Sequence, residues 1–174
     1  MFIFIDSDQT FEVKDIEKLI NLKVCDVAVG ILARSNNTPT SHPVNIDNFV
    51  KGKDSRLLYG STGFMLIRRS ICSKIIPYLA DEYNCNSPRF IVGEKDINII
   101  PFFAERFVEN ELSPNSTRLW LGEDYSFSWL VRKVGGIIRG FMSDTLGHQV
   151  AQIVYLKVPD ELKDQKKYFN QSSL

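Results

Sequence analysis

Short unbroken apolar runs alternate along the chain with segments in which apolar residues recur every three or four positions. The first run, Phe2–Ile5, reads FIFI and leads straight into Asp6, Ser7 and Asp8. Such runs, bounded by turn-forming residues, read as strands buried on both faces. The next stretch, TFEVKDIEKLINL, places Phe11, Ile16, Leu19 and Ile20 along one helical face, with Thr10 as the predicted N-cap. DVAVGILA is a second apolar strand. Residues 34–56 are polar and rich in turn-formers, and they predict a long loop. LLYGSTGFMLIRRSICSKIIPYLA predicts a glycine-broken strand through Ile67 and then a helix to Ala80. Residues 83–100 read as irregular, and PFFAERFV as a short apolar segment. GEDYSFSWLVRKVGG predicts a helix that begins near Glu123 and is stopped by Gly135 and Gly136. IIRGFMSDTLGHQ predicts a strand and a turn. Together these elements predict one α/β domain, residues 1–156, with a sheet covered by helices on both faces. A charged tail, residues 157–174, is expected to fray or pack as a short helix.

Composition narrows the class. A chain of 174 residues suits one domain with a real core. Lys plus Arg and Asp plus Glu number 21 each, so there is no general attraction to nucleic acid or to an anionic membrane. Cys25, Cys72 and Cys85 are far apart and odd in number, which predicts free structural thiols in a reducing, cytoplasmic setting. No apolar run reaches the roughly 18–20 residues of a membrane span. The opening MFIFID is too short, and lacks the basic flank, for a signal peptide.

Four groups of residues carry candidate chemistry. Asp6 and Asp8 end an apolar strand. In extended backbone, residues i and i+2 project to the same side, so the two carboxylates converge and repel. A hard divalent cation, Mg²⁺ or Mn²⁺, would relieve that repulsion; the plain alternative is a solvated Asp-Ser-Asp turn. Glu123 and Asp124 fall at a helix N-terminus, where they serve either as simple caps or as a carboxylate held ionised to act as general base. Trp120, just upstream, either stacks on a sugar face or belongs to the core. His148 follows a glycine in a turn and is either a surface histidine or a third metal ligand. Gly60 and Gly63 flank two small hydroxyl residues and allow a ligand to approach the backbone closely. Arg68 and Arg69 are either solvated or face a diphosphate.

The order DSD (6–8), GSTGFMLIRR (60–69), GEDYSF (122–127) and GH (147–148) resembles the GT-A class of nucleotide-sugar glycosyltransferases, especially the family-two-like members and the galactosyltransferase-like W-x-G-E-D enzymes. The resemblance runs from about Ile3 to His148. It implies a GT-A-like mixed sheet flanked by helices, and the C-terminal portion of that fold. It implies a metal-dependent transfer, inverting at the anomeric carbon, of a sugar from a nucleotide-diphosphate sugar to an acceptor hydroxyl on a glycan or other molecule. Residue by residue, it implies that Asp6 and Asp8 hold Mn²⁺ or Mg²⁺ against the donor diphosphate and that His148 completes the metal shell. Asp124 would be the base, with Glu123 beside it on the acceptor, and Gly60 and Gly63 would line the donor or acceptor sugar. In the family, D-x-D follows a βαβαβ half that binds the nucleotide base. Here it opens the chain, so the expectation is a truncated domain, a partner chain that supplies the other half, or a degenerate relative. Weak binding of free nucleotide follows from the same departure. Two other readings stand beside this one. One is a non-catalytic remnant that binds a glycan or partner through residues 34–56 and 83–118. The other is a Mg²⁺-dependent phosphotransferase or nuclease using Asp6, Asp8 and Asp124.

Overall fold

The structure, a computed structural model, describes residues 1–33, 38–42, 55–83, 89–92, 95–98, 100–109, 118–149 and 153–155. Most of the loop expected over 34–56, Cys85 and the 157–174 tail lie outside the described residues. In chain order the elements are β1 (Phe2–Ile5), β2 (Gln9–Thr10), α1 (Val13–Asn21), β3 (Val27–Gly30), β4 (Phe64–Ile67) and α2 (Arg69–Glu82). Then come β5 (Arg89–Val92), β6 (Lys95–Asn98), β7 (Arg106–Val108), β8 (Leu119–Leu121), α3 (Glu123–Lys133), β9 (Ile138–Phe141), β10 (Gly147–Gln149) and β11 (Ile153–Tyr155).

The main sheet runs β1-β4-β3-β9. It is mixed: β4 is antiparallel to both β1 and β3, while β3 and β9 are parallel. The period of two along β3 and β4 divides the core. Val27, Val29, Met65 and Ile67 face one way and meet Ile71, Ile75 and Leu79 of α2 and Phe127, Leu130 and Val131 of α3. Ala28, Phe64 and Leu66 face the other way and meet Leu19 and Leu22, with Phe141 and Leu146. Each fully buried Leu, Ile or Phe here contributes about 1.5–3 kcal/mol of hydrophobic stabilisation. The chain is therefore an α/β fold with a mixed sheet and helices on both faces.

Several elements differ from what their sequence predicts. Phe2–Ile5 forms its strand but lies at the edge of the sheet. Phe2 is 54% exposed and Ile3 and Phe4 are 40% exposed, so the run is apolar without being buried. Only one neighbour, β4, hydrogen-bonds it among the described residues. Helix α1 begins later than Thr10. Glu12 is its N-cap, and the Glu12 N–H donates to Asp15 Oδ2 at 3.0 Å. Gln9 and Thr10 instead pair with β10, a non-local partner that the local pattern could not announce. Within the segment expected to be irregular, β5 and β6 form an antiparallel pair. The apolar segment after it yields β7, which pairs with β8. Helix α2 runs two residues past the expected Ala80 and tolerates Pro77. The stop of α3 is as expected: Gly135 adopts φ +75°, the left-handed conformation that ends a helix at little cost to glycine.

Two polar clamps hold the segments around α3. Arg106, buried, donates to Ser126 Oγ at 2.8 Å, to Ala104 O at 2.9 Å and to Pro101 O at 3.3 Å, which fixes residues 101–106 against the helix. On another side, Tyr125 stacks on Tyr59 with ring centroids 4.8 Å apart and donates its hydroxyl to Thr40 O at 2.8 Å. These contacts set the position of the helix start that carries Glu123 and Asp124.

Candidate functional site

Asp6 leaves the carboxyl end of β1, where its N–H donates to Gly63 O at 3.1 Å and extends the β1–β4 ladder by one residue. The chain then turns. The Gln9 N–H returns to Asp6 O at 3.1 Å, so residues 6–9 form a β-turn and not the extended i, i+2 arrangement. Asp8 is thus brought near Asp6 by a turn, and the plain turn chemistry of Asp-Ser-Asp is real. The turn hands over to β2, which pairs with β10 in a register that sets His148 opposite Gln9 and Gly147 opposite Thr10. The Gln149 N–H donates to Asp8 O at 2.7 Å and closes the junction.

Directly opposed residues of an antiparallel pair share one face. Gln9 and His148 use that shared face to grip the same carboxylate. His148 Nε2 lies 2.8 Å from Asp8 Oδ2, and Gln9 Nε2 donates to Asp8 Oδ1 at 3.2 Å. The contact to His148 is the main reason the Asp8 carboxyl is held below its ordinary range. Asp6 behaves in the opposite way. Partial burial raises its carboxyl first, the charges of Asp8 and Asp124 raise it further, and His148 pulls it down. Asp6 therefore feels all three of the other groups, which reach it from the turn, from the start of α3 and from β10.

Asp124 sits in the first turn of α3, after the N-cap Gly122. Its carboxylate is fixed from the glycine-rich segment: Thr62 Oγ1 donates to Asp124 Oδ1 at 2.7 Å, and the Thr62 N–H donates to Oδ2 at 3.2 Å. Glu123 is exposed, and the contacts that link the other acids do not include it. The four amides of residues 60–63 all have side-chain acceptors: Ser128 Oγ at 2.9 Å, Ser41 Oγ at 3.3 Å, Asp124 Oδ2 at 3.2 Å and Ser61 Oγ at 3.4 Å. The two glycines answer to packing. A Cβ at Gly60 would lie 2.7 Å from Val29 Cγ2. One at Gly63 would lie 2.7 Å from Leu32 Cδ1 and 3.2 Å from Asp6 Oδ2, so its absence leaves room for the Asp6 carboxylate. Arg68 is committed elsewhere, donating to Cys25 O at 2.9 Å and Leu22 O at 3.1 Å behind helix α1.

The donor set of Asp6, Asp8 and His148, hard oxygens plus an imidazole nitrogen, suits Mn²⁺ or Mg²⁺. The raised carboxyl of Asp6 marks negative charge that a cation would neutralise. In the present side-chain arrangement Asp8 and His148 are closed on each other. Among the described residues no group of three or more His, Cys, Asp or Glu is disposed to hold a metal ion. A cation at this point would replace the proton shared between Asp8 and His148, whose donor atoms lie 2.8 Å apart.

Trp120 is not a core residue. It pairs across β7–β8 with Phe107, and the two are 54% and 71% exposed. Alternation along the ribbon explains this: Arg106, Val108 and Leu121 turn inward and the aromatic pair turns out. The residues that sequence reasoning passed over are Gln9, Thr62 and Ser128. Each is a polar residue within or beside a motif, and only the tertiary pairing shows what it grips.

Among the described residues no helix is long and apolar enough to cross a membrane. No protein-family model, curated protein or solved structure matches the chain.

Proposed function

We propose that this chain carries the metal- and acceptor-binding site of a GT-A-like, metal-dependent glycosyltransferase. It would pass a sugar from a nucleotide-diphosphate donor to an acceptor hydroxyl with inversion. One observation supports the reading above others: Asp8, Asp124 and His148, reaching in from the turn, the start of α3 and β10, all bear on the Asp6 carboxyl at the end of β1, and His148 meets Asp8 there. In this reading Asp6, Asp8 and His148 hold Mn²⁺ or Mg²⁺, which supplies positive charge against the departing diphosphate. Asp124, kept in place by Thr62, takes the proton of the acceptor hydroxyl as it attacks the anomeric carbon. Gly60 and Gly63 contribute by shape, allowing the segment between them to pass close to Asp6. The exposed Phe107–Trp120 pair offers a face on which an acceptor sugar stacks.

The exposed apolar edge of β1 offers a partner chain a place to add its own strand. A second reading, a glycan-binding module without catalysis, draws on the closed Asp8–His148 contact and the exposed aromatic pair. The experiment that separates them incubates the chain with Mn²⁺ and a panel of nucleotide-diphosphate sugars and measures free nucleoside diphosphate. Release that disappears in Asp8→Asn supports transfer or donor hydrolysis. Glycan binding without any such release favours the second reading.

A further inference from the structure

Asp15 is fully buried, and the chemistry proposed above makes no use of it. A buried carboxylate costs several kcal/mol unless its oxygens are satisfied. Here they are. Thr145 Oγ1 donates to Asp15 Oδ2 at 2.7 Å, Ser143 Oγ donates to Oδ1, and the Glu12 N–H donates to Oδ2 at 3.0 Å. Lys18 Nζ, 3.8 Å from Oδ1, also donates to Ser143 Oγ at 3.3 Å. The location gives the network its meaning. Asp15 is in the first turn of α1, directly after β2 and the turn that carries Asp8. Ser143 and Thr145 are in the connection that leads from β9 into β10, which carries His148. The same connection is seated by Leu146, whose Cδ2 would lie 2.4 Å from a Cβ at Gly30.

We propose that Asp15 is a positioning residue that ties the β9–β10 connection to the start of α1 and thereby holds His148 in register opposite Gln9 and against Asp8. One carboxylate joins the two chain segments whose tips must meet. With it gone, the alignment of β2 on β10 rests on two opposed residue pairs, the Gln149–Asp8 backbone bond and the exposed His148–Asp8 contact. The proposal rests on the glycosyltransferase reading only for what the alignment serves.

The test has two arms on the full chain. The first is amide hydrogen exchange in Asp15→Asn, Thr145→Val and Ser143→Ala, with Thr145→Ser as the conservative control. The Gln149 amide, bonded to Asp8 O, reports the β2–β10 junction. The expected result is selective loss of protection at Gln149 in the first three variants, with amides of β3 and β4 unchanged and Thr145→Ser close to the parent protein. Equal acceleration at Gln149 and throughout the main sheet shows general destabilisation and overturns the proposal. The second arm measures Mn²⁺ affinity by electron paramagnetic resonance. Support for a loss of about 10–100-fold comes from what outer-shell partners of metal ligands are worth. Unchanged affinity alongside lost Gln149 protection overturns the link between clamp and site. A parent protein that takes no Mn²⁺ removes the metal reading, and the exchange arm then decides the clamp alone.

Discussion

His148 Nε2 stands 2.8 Å from Asp8 Oδ2, although 140 positions separate the two residues in the chain. The approach is produced by backbone pairing: β10 aligns on β2, and the register puts His148 across from Gln9, the neighbour of Asp8. The pair is the point at which the two ends of the described chain meet, and its pH behaviour follows from its chemistry. The folded-state carboxyl of Asp8 is depressed, chiefly by His148. A depressed carboxyl contributes stability that is present above its unfolded value, about 3.9, and is lost as pH falls through the lower folded value. The thermal midpoint of Asp8→Asn should fall below that of the parent protein at pH 7. The gap should narrow as the pH falls below the unfolded value and close once it passes below the depressed folded one. A gap independent of pH would show that the asparagine acts by packing and not by charge.

Asp6 gives a prediction of opposite sign. Its folded-state carboxyl is raised, first by burial and then by Asp8 and Asp124. A raised carboxyl opposes folding once ionised, so stability is full below the unfolded value and is lost as pH rises through the folded one. Asp6→Asn should therefore melt higher than the parent protein at pH 7 and alike at pH about 3. Mn²⁺ should reverse the order, since a ligand at about 100 times its dissociation constant adds about 2.7 kcal/mol to the protein that binds it. Calorimetric melts with and without Mn²⁺ measure both effects. An Asp6→Asn protein that is less stable at neutral pH would show that the carboxylate is a structural asset.

The apolar runs at Val27–Gly30 and Phe64–Ile67 were legible as strands because the neighbours that bury them on both sides are the helices that the same sequence announces. Phe2–Ile5 carries the same signal, yet it lies at an edge. Local pattern states that a strand wants cover and says nothing of whether cover is there. Asp6, Asp8, Asp124 and His148 could be singled out by residue type and motif order. The geometry that unites them could not, because it depends on a turn at residues 6–9 and on a two-pair ladder. Thr62 and Gln9 fix the carboxylates of Asp124 and Asp8; the glycine-rich pattern marks Thr62 as a small hydroxyl residue without showing what it holds, and nothing local distinguishes Gln9.

Glycines near the site divide by what surrounds them. A Cβ at Gly30 would lie 2.4 Å from Leu146 Cδ2 and 2.7 Å from Phe64 Cδ1, inside the packed face under α1. Gly30→Ala should cost about 1–3 kcal/mol, the usual range for overpacking a core. At Gly122 nothing lies within 4 Å of the added carbon, and φ −62° suits any residue. Gly122→Ala should leave the fold intact, with an effect of about 1 kcal/mol at most from the altered N-cap. Urea unfolding of the two variants side by side checks the contrast.

Phe107 and Trp120 are exposed partners on the β7–β8 ribbon. Trp120→Ala should change stability by no more than about 0.5 kcal/mol, as for surface substitutions away from special features. If the pair is an acceptor platform, the variant should weaken oligosaccharide binding in calorimetry while Mn²⁺ affinity holds. A large stability loss with unaltered glycan binding would assign the tryptophan to packing.

Asp124 is the residue on which the proposed reaction turns. It stands in the first turn of α3, at the helix end whose dipole suits a negative group. Thr62 adds two donors, one to each oxygen, and Phe127, Leu130 and Val131 root the helix in the core. The carboxylate is thus held at one position with lone pairs left for an incoming hydroxyl. Asp124→Asn keeps the size and loses the base. Where sugar transfer is measured, turnover should fall by about 10²–10⁴-fold, the usual loss for a missing general base, with Mn²⁺ affinity unchanged. Thr62→Val removes the hydroxyl donor that holds the carboxylate in place, so turnover should fall while Mn²⁺ affinity holds. Thr62→Ser should restore turnover. Glu123, exposed on the same turn, should tolerate Gln with little change in rate. If Glu123→Gln abolishes transfer while Asp124→Asn keeps it, the base is Glu123. If neither matters, transfer does not proceed by base-assisted inversion.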